Sequence, residues 1–207
     1  MLTNKKSILA ISTIIIILLI DQIVKILVKT NMQLGDSILV FGNWFQICFT
    51  ENSGFAFGME FGGGQWGKLF LSIVRIFAIC IIAWLLIKII RQKYSSAFII
   101  GIAALLAGAA GNIIDSVFYG QIFSDSYGHV AAMFPEGGGY APLLQGRVVD
   151  MLYFPILAGH FPSWFPFWGG EEFIFFRPIF NIADSAITVS ILYIIIFQRK
   201  NVAKLLK

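Results

Sequence analysis

Four long apolar segments constrain the fold of this chain more than any other feature of its sequence. A helix that crosses a bilayer needs about 20 predominantly apolar residues, and segments close to this length cover residues 7–28, 69–90, 97–119 and 180–197. Of the 207 residues, 58% are hydrophobic and only 13% are charged, a balance outside the range of soluble globular domains. We therefore expect an all-α membrane protein with four transmembrane helices, forming one integral-membrane domain over residues 1–207.

The distribution of basic residues predicts the orientation of these helices. Lys and Arg cluster near both termini and in the short turn "RQKYSS" between the second and third segments. Because cytoplasmic loops are enriched in Lys and Arg, we expect both termini and this turn to be cytoplasmic. The long connections, at about residues 29–68 and 120–179, are then expected on the outer side. Aromatic residues that suit an interfacial belt on that side are Trp44, Trp66, Trp164 and Trp168.

Each apolar segment carries polar residues near its predicted outer end. Ionisable groups inside membrane segments are energetically costly and usually face a polar interior or a functional site. One shared polar site at this depth would explain all of them together. The residues concerned are Asp21, Lys25, Arg75, Asn112, Asp115, Asn181 and Asp184.

Several of these residues also have a purely structural interpretation. Asp21 and Lys25, spaced i, i+4, most simply form an intrahelical ion pair that lowers the cost of insertion, and we interpret them as structural. Arg75 is interpreted as reaching towards the interface, with its aliphatic stem in the apolar layer. Asn112 and Asp115 share one helical face, where a cross-link between helices and a functional role both remain open.

Two further aspartates differ in their sequence surroundings. Asn181 and Asp184 are three residues apart, the same spacing as that of Asn112 and Asp115 in the third segment. Asp150 lies in "GRVVDMLYF", a β-branched and aromatic run that predicts an extended segment leading back to the membrane. Taken alone, this run is more typical of a loop aspartate than of a catalytic one.

The sequence lacks the motifs of several classes of enzyme. The two histidines, His129 and His160, are not part of an H-E-x-x-H pattern, and no phosphate-binding or dinucleotide-binding fingerprint occurs. We predict no metal, no cofactor and no nucleic-acid partner. The remaining candidate catalytic groups are carboxylates. Two carboxyl groups that share a site have different pKa values, so that one can act as an acid and the other as a base. Such a pair can hydrolyse an amide without a metal ion.

Three other functions fit parts of the same pattern. Intramembrane carboxylates also mark transport paths, so a small-solute or proton-coupled transporter is the main alternative, although no inverted repeat is visible. A lipid-headgroup enzyme would use aspartates to hold Mg²⁺, but these carboxylates come from separate segments. A non-enzymatic scaffold would tolerate Asp→Asn substitutions.

Five motifs in chain order resemble those of the lipoprotein signal peptidases, the signal peptidase II family of bacterial aspartyl peptidases. "DQIVKILV" is similar to the family's Asp-x-x-x-Lys segment, and "ENSGFAFGM" resembles its Asn-x-Gly-Ala-Ala-Phe loop, with Phe55 where alanine is usual. "GNIID" resembles Gly-Asn-x-Ile-Asp-Arg. "GRVVDML" and "FNIADSAI" resemble the two motifs that carry the family's catalytic pair.

The resemblance implies a catalytic pair made of Asp150 and Asp184, which overrules the loop interpretation of Asp150. It implies a substrate as well, prolipoproteins already modified with diacylglycerol and cut just before the lipidated cysteine. The implied fold has four transmembrane helices with a small β-cradle and a short interfacial helix on the outer surface. The supporting residues are expected to be Asn52, Gly54, Asn112, Asp115, Arg147 and Asn181.

Location and partners follow from the same resemblance. We expect a multi-pass protein of the bacterial cytoplasmic (inner) membrane, with its active site at the outer, periplasmic face. Membrane lipid and the lipidated substrate are the expected partners. A monomer is expected, because one chain can build the site. Inhibition by globomycin-type cyclic peptides is implied by the family.

Two features depart from the family pattern. Ser116 stands where the family usually has arginine, and we hypothesise that Arg147, beside the Asp150 motif, supplies the missing charge. In addition, the connections over residues 120–146 and 155–178 are longer than usual. Their Gly, Pro and aromatic content fits either a lid over the site or a decoration without a catalytic role.

Overall fold

The computed structural model describes residues 2–53, 65–92 and 94–206. Gly54 and most of the "ENSGFAFGM" loop lie outside the described residues. In chain order, the helices are α1 (Leu2–Asn31), α2 (Gln65–Arg91), α3 (Ser96–Ile114), α4 (Gly120–Ile122), α5 (Ile182–Phe197) and α6 (Arg199–Leu205). A π-helical segment, Asp115–Tyr119, joins α3 to α4. Each of the four apolar segments predicted from the sequence coincides with one of the long helices.

Three helical stretches in the described residues are long and apolar enough to cross a membrane: Asn4–Asn31, Trp66–Arg91 and Ser96–Ile122. A fourth span results if α5 and α6, which meet at a bend of 87°, are taken together. The side chains on the outside of these helices are large and apolar, as at Ile16 and Phe77. This surface suits lipid, whereas the four-span count and the orientation of the termini stay predictions.

Small residues let α3 occupy the centre of the helical bundle, in contact with α1, α2 and α5. A Cβ atom at Gly108 would lie 2.4 Å from the backbone oxygen of Ala183. One at Gly111 would lie 2.7 Å from Oδ2 of Asp21. The Gly- and Ala-rich run of α3 therefore lets the backbone of α5 and a polar side chain of α1 approach closely.

The β-strands lie at the end of the helical bundle opposite the turn between α2 and α3. Four of them form an antiparallel sheet in the order β1-β2-β3-β6, and β4 pairs with β5 in a separate hairpin. Their bounds are β1 (Ser37–Phe41), β2 (Phe45–Asn52), β3 (Val148–Tyr153), β4 (Leu157–His160), β5 (Glu172–Phe175) and β6 (Ile179–Phe180). The extended segment predicted around Asp150 is confirmed as β3.

Strand register and a hydrophobic core fix the sheet against the helices. Thr50 pairs with Asp150 and Asn52 with Val148, so β2 brings Asn52 to the same end of β3 as Asp150. Beneath the sheet, residues of α1, β2, β3 and the chain after α3 form one buried cluster: Val28, Met32, Phe49, Tyr119, Phe123, Ala131, Val149 and Met151.

The expected interfacial helix is not found in the described part of the two long connections. Apart from the ends of α1 and α2, these described residues contain strands, turns, and the three-residue α4 that continues α3. Residues 54–64 lie outside the described part.

Candidate active site

The amino-terminal end of α5 positions the first candidate carboxylate, that of Asp184. Asn181 is the N-cap of α5, and its Oδ1 accepts a hydrogen bond of 2.8 Å from the backbone N–H of Asp184. In return, Oδ2 of Asp184 accepts from the backbone N–H of Asn181 at 3.3 Å. This reciprocal capping box fixes both side chains at a helix end whose dipole favours negative charge.

A buried strand positions the second carboxylate, that of Asp150. Asp150 lies in β3 and is only 4% exposed. Nδ2 of Asn181 donates to Oδ1 of Asp150 at 2.7 Å. The side chain of Asn52, on the neighbouring strand β2, also hydrogen-bonds to Asp150. The residue that caps α5 thus binds one candidate carboxylate through its side-chain amide and the other through its backbone.

Asn112 of α3 completes the bridge between the two carboxylates. Its Nδ2 donates to Oδ1 of Asp184 at 2.7 Å. Its Oδ1 accepts from Nδ2 of Asn181 at 3.0 Å and from Nζ of Lys25 at 2.9 Å. A continuous hydrogen-bonded chain therefore runs from Lys25 through the two amides to Asp150, with a branch to Asp184. Two neutral amides orient both acids without neutralising either of them.

Lys25 is the central buried cation of this network. It lies 3.0 Å from Oδ2 of Asp21 and 2.8 Å from Oδ2 of Asp115, and none of these three side chains is more than 1% exposed. The predicted contact between Asp21 and Lys25 is present, but it is one part of a larger network. Oδ1 of Asp21 also accepts from the backbone N–H of Ala183 at 2.8 Å, which ties α1 to the first turn of α5.

Asp115 holds strand β3 against the helices. Its Oδ2 accepts from the backbone N–H of Val149, next to Asp150, at 3.2 Å. Its Oδ1 accepts from Nε2 of Gln22 at 2.9 Å. Asp115 begins the π-helical segment, a feature that is frequent at functional sites. The residue thus positions β3 and makes no described contact with Asp184.

The surroundings of Asp150 change the pKa of this candidate acid. Burial, together with the negative charge of Asp184, raises the pKa of Asp150 to about 7, whereas hydrogen bonds from Asn181 and Asn52 act in the opposite direction. Arg75 of α2 is attracted electrostatically to both Asp184 and Asp150. The interpretation of Arg75 as an interfacial side chain missed this relationship.

Arg147 does not replace the charge that is absent at Ser116. Its Nη1 donates to Oε2 of Glu51 at 2.8 Å, and its guanidinium stacks over the rings of Tyr127 and Tyr140 at 5.0 and 4.9 Å. These contacts correct the hypothesis that Arg147 supports the carboxylate pair. Arg75 is a cation that interacts electrostatically with both acids, and Lys25 also interacts with Asp150.

Glu51 and its partners form a second buried network, which we call the Glu51 junction: Lys29, Glu51, Ser126 and Arg147. Glu51 is ion-paired with Lys29 and accepts from Ser126 Oγ at 2.9 Å. Lys29 lies over the rings of Phe49, Phe123 and Tyr140. Burial by itself would raise the pKa of Glu51, but the charge of Lys29 and the surrounding donors hold that pKa below its ordinary value.

The Glu51 junction connects α1, β2 and the long connection after α4. Sequence reasoning did not find Lys29, Glu51 or Ser126 as members of one site. One signal was present, because Lys29 continues the four-residue spacing of Asp21 and Lys25 along α1. The partners on β2 and in the connection are distant in sequence and are brought together only by the fold.

A cleft opens beside Asp184. It has a volume of about 430 Å³ and lies between the outside of α5 and the segment that precedes it. Apart from Asp184 and two hydroxyl side chains its lining is apolar: Phe176, Pro178, Phe180, Asp184, Ser185, Thr188 and Val189. A substrate with a hydrophobic portion could therefore reach the carboxylate from the side of α5. In the described part of the chain, no three His, Cys, Asp or Glu side chains gather as ligands for a metal ion.

Comparison with known proteins gives consistent matches over most of the chain. Residues 13–199 match a family model described as Signal peptidase (SPase) II. A lipoprotein signal peptidase of Porphyromonas gingivalis is 50% identical over 194 residues, which cover 93% of this chain and 84% of the relative. One from Amoebophilus asiaticus is 36% identical over 88% of this chain and 74% of the relative.

Two solved structures, each described as a bacterial membrane enzyme, share this fold. One superposes with a TM-score of 0.58 at 24% identity and covers 94% of this chain and 90% of that chain. The other has a TM-score of 0.59 at 26% identity and covers 90% of both chains. Together with the long apolar helices, these matches establish a multi-pass membrane protein. None of the matches supports the transporter alternative.

Proposed function

This chain belongs to the signal peptidase II family, and on that basis we propose that it is an aspartic endopeptidase for diacylglyceryl-modified prolipoproteins. It removes the signal peptide by cutting just before the lipidated cysteine. We place it in the bacterial inner membrane with four spans, both termini in the cytoplasm and the active site at the periplasmic face. The observation that carries the proposal is the pair Asp150 and Asp184, joined by the amides of Asn181 and Asn112.

The different surroundings of the two acids assign their roles. Asp150 is the buried partner, with a pKa of about 7, so it holds the shared proton and acts as general acid. Asp184 is half-buried at the helix terminus beside the cleft, so it acts as general base. Two carboxyls in one site share a proton in this way because ionising both is unfavourable.

The reaction follows from these positions. Asp184 takes a proton from water as the water oxygen attacks the scissile carbonyl carbon, and Asp150 gives its proton to the carbonyl oxygen. In the second step the C–N bond breaks. Asp184 delivers its proton to the leaving nitrogen of the lipidated cysteine, and Asp150 recovers a proton from the hydroxyl group. The signal peptide leaves with a new carboxyl terminus, and no metal ion or cofactor takes part.

The apolar cleft supports the choice of a lipidated substrate. Phe176 and Phe180 line it from the segment before α5, Val189 lines it from α5, and Asp184 lies within the same cleft. An acyl chain of the substrate can bind this surface while the peptide bond next to the cysteine reaches the carboxylates. We expect globomycin-type cyclic peptides to inhibit the enzyme by occupying the same site.

Supporting roles are proposed for the residues around the pair. Asn112 and Asn181 orient the acids, Asn52 binds Asp150 from β2, and Asp115 fixes β3 through Val149. Asp21 and Lys25 hold the helices together at this level. Gly54, expected to line the site, lies outside the described residues. A monomer suffices, since one chain supplies every group named.

Product analysis tests the substrate and the metal independence together. The purified protein is incubated in EDTA with a peptide that carries a diacylglyceryl cysteine, and with the same peptide without the lipid. Mass spectrometry should find one cut, immediately before the lipidated cysteine, and little cleavage of the unmodified peptide. Equal cleavage of both peptides, a cut elsewhere, or loss of activity in EDTA would refute the corresponding part of the proposal.

A further inference from the structure

An aromatic hairpin projects from the segment between β3 and β6. We call residues 156–176 the aromatic arm. Its strands β4 and β5 pair in register from Leu157 with Phe175 to His160 with Glu172. Hydrogen bonds from Phe161 N to Glu171 O and from Gly170 N to Phe161 O, both 2.9 Å, extend the ladder towards the tip. The arm is therefore a formed structure with its own backbone pairing.

A small aromatic core stabilises the arm from within. The ring of Phe161 lies 5.1 Å from that of Phe165 and 5.0 Å from that of Phe173, between centroids. Phe165 also stacks with Trp168 at 6.2 Å. These contacts hold the backbone of the tip in shape. Trp164 and Phe167 lie at the edge of this core, with their ring centroids 6.0 Å from Phe165 and 6.3 Å from Trp168.

The outward side chains of the arm are large, apolar and exposed. Phe167 at the tip is 92% exposed and Trp164 is 77% exposed. From Phe161 to Gly170 the tip contains no charged residue. The acidic residues Glu171 and Glu172 follow it directly in the chain. A contiguous patch of this kind is unfavourable in water and marks an interaction surface.

The arm continues the surface that α5 presents to lipid. Phe176, at the base of the arm, lines the cleft together with Thr188 and Val189 of α5. Val189 is 65% exposed on a helix of the membrane bundle. On its other side, the arm shares a cavity of about 470 Å³ with Trp44, itself 56% exposed. The cleft beside Asp184 is therefore lined both by a membrane helix and by the base of the arm, and apolar side chains are exposed on both.

We infer that the aromatic arm inserts its tip, Trp164 to Trp168, into the lipid leaflet beside the cleft that contains Asp184. Trp and Phe suit this position because aromatic rings favour the boundary between headgroups and acyl chains. Glu171 and Glu172 remain at the level of the headgroups and limit the depth of insertion. The arm thereby fixes the sheet that carries Asp150 at the membrane surface. This inference is independent of the proposed chemistry.

Depth-dependent fluorescence quenching tests the inference. The full-length protein, with Trp164 as its single tryptophan after Trp→Phe substitution at positions 44, 66, 84 and 168, is placed in phosphatidylcholine nanodiscs. We expect lipids brominated on their acyl chains to remove most of the Trp164 emission, and aqueous iodide to have little effect. A variant that keeps only Trp84 of α2, which is 62% exposed, is the membrane-embedded reference.

The opposite pattern would overturn the inference. Quenching of Trp164 by iodide but not by brominated lipid would place the tip in water. Protection from both quenchers would indicate a protein partner, such as a second copy of the chain.

A nitroxide at Phe167→Cys, with Cys48 and Cys80 replaced by alanine, gives an independent measurement that keeps the tryptophans. Collisions with oxygen should then exceed those with a water-soluble nickel complex, and the reverse would contradict insertion. Because these measurements do not depend on cleavage, they test membrane insertion even if the proposed function is wrong.

Discussion

Asn181 binds Asp150 through a 2.7 Å hydrogen bond from Nδ2 to Oδ1, although the two residues lie on different elements, 31 positions apart. The same residue caps α5 and accepts from the backbone of Asp184. One side chain thus couples the strand that carries one acid to the helix that carries the other. Its two functions can be separated by substitution.

Asn181→Ser should keep the helix cap but lose the donor to Asp150, because serine caps well and is too short to reach the carboxyl. We expect the cleavage rate to fall about 2- to 10-fold, because the bond lost is one to the protonated, neutral Asp150, and such hydrogen bonds contribute about 0.5–1.5 kcal/mol. The pKa of Asp150 should rise, which moves the alkaline fall of the pH–rate profile to higher pH. Asn181→Ala should also lose about 1 kcal/mol of stability from the cap. An unchanged profile in Asn181→Ser would contradict the coupling.

Asp150 should make the folded protein less stable as the pH rises. Its folded pKa of about 7 lies above the value of about 3.9 for an unfolded aspartate. Between these values the folded state binds more protons, so the free energy of unfolding decreases with increasing pH. Asp150→Asn removes this titration. Its melting temperature, relative to that of wild type in the same detergent, should therefore increase from pH 4 to pH 7. A constant difference over that range would show that Asp150 titrates normally.

Lys25 should be essential for the folded state. Lys25→Met leaves Asp21 and Asp115 buried without their cation, and breaking a buried pair in this way costs about 3–5 kcal/mol. We expect a large loss of thermal stability and of folded protein after purification. Lys5→Met removes the same charge from an exposed position of the same helix and serves as the matched control. Similar stability of the two variants would show that the Lys25 network contributes little.

The Glu51 junction should behave as a coupled unit. Glu51→Gln leaves the buried Lys29 without its counterion, whereas Lys29→Met together with Glu51→Gln removes both charges. A double-mutant cycle on thermal unfolding should give a coupling of about 1–3 kcal/mol between these residues. Arg147→Ala should have a smaller effect, since its side chain is 27% exposed and solvent screens its charge. Additive effects of the Lys29 and Glu51 substitutions would argue against the junction.

Much of the architecture could be predicted from the sequence because membrane helices are defined locally. The lengths of the apolar segments predicted the long helices, and the β-branched run around Asp150 predicted the extended segment that forms β3. The third segment is rich in Gly and Ala, a composition typical of close helix packing, and Gly108 and Gly111 allow such packing at Ala183 and Asp21. Shared depth placed Asn112, Asn181 and Asp184 in one site, and the structure brings these side chains into contact. Their catalytic roles stay predictions.

What the sequence missed depends on contacts between distant segments. The pairing of Arg147 with Glu51 follows from the register of β2 with β3 and from the path of the connection that contains Ser126. Neither is visible in local patterns. Arg75 was grouped with the other polar residues by depth but interpreted as reaching towards the interface, whereas its electrostatic partners lie on α5 and β3. Sequence motifs also gave no basis for proposing which acid holds the proton, since that proposal rests on the burial of Asp150.

Cleavage by the two carboxylate variants tests the central claim most directly. The wild type, Asp150→Asn and Asp184→Asn are compared on a diacylglyceryl-modified lipobox peptide in detergent with EDTA. Asp125→Asn, at a half-exposed aspartate whose described partners are Tyr127 and His129, is the control. The account predicts that the wild type and the control cleave at equal rates, and that both site variants are folded but inactive. Near-normal cleavage by either site variant would contradict the assignment of Asp150 and Asp184 as the catalytic pair.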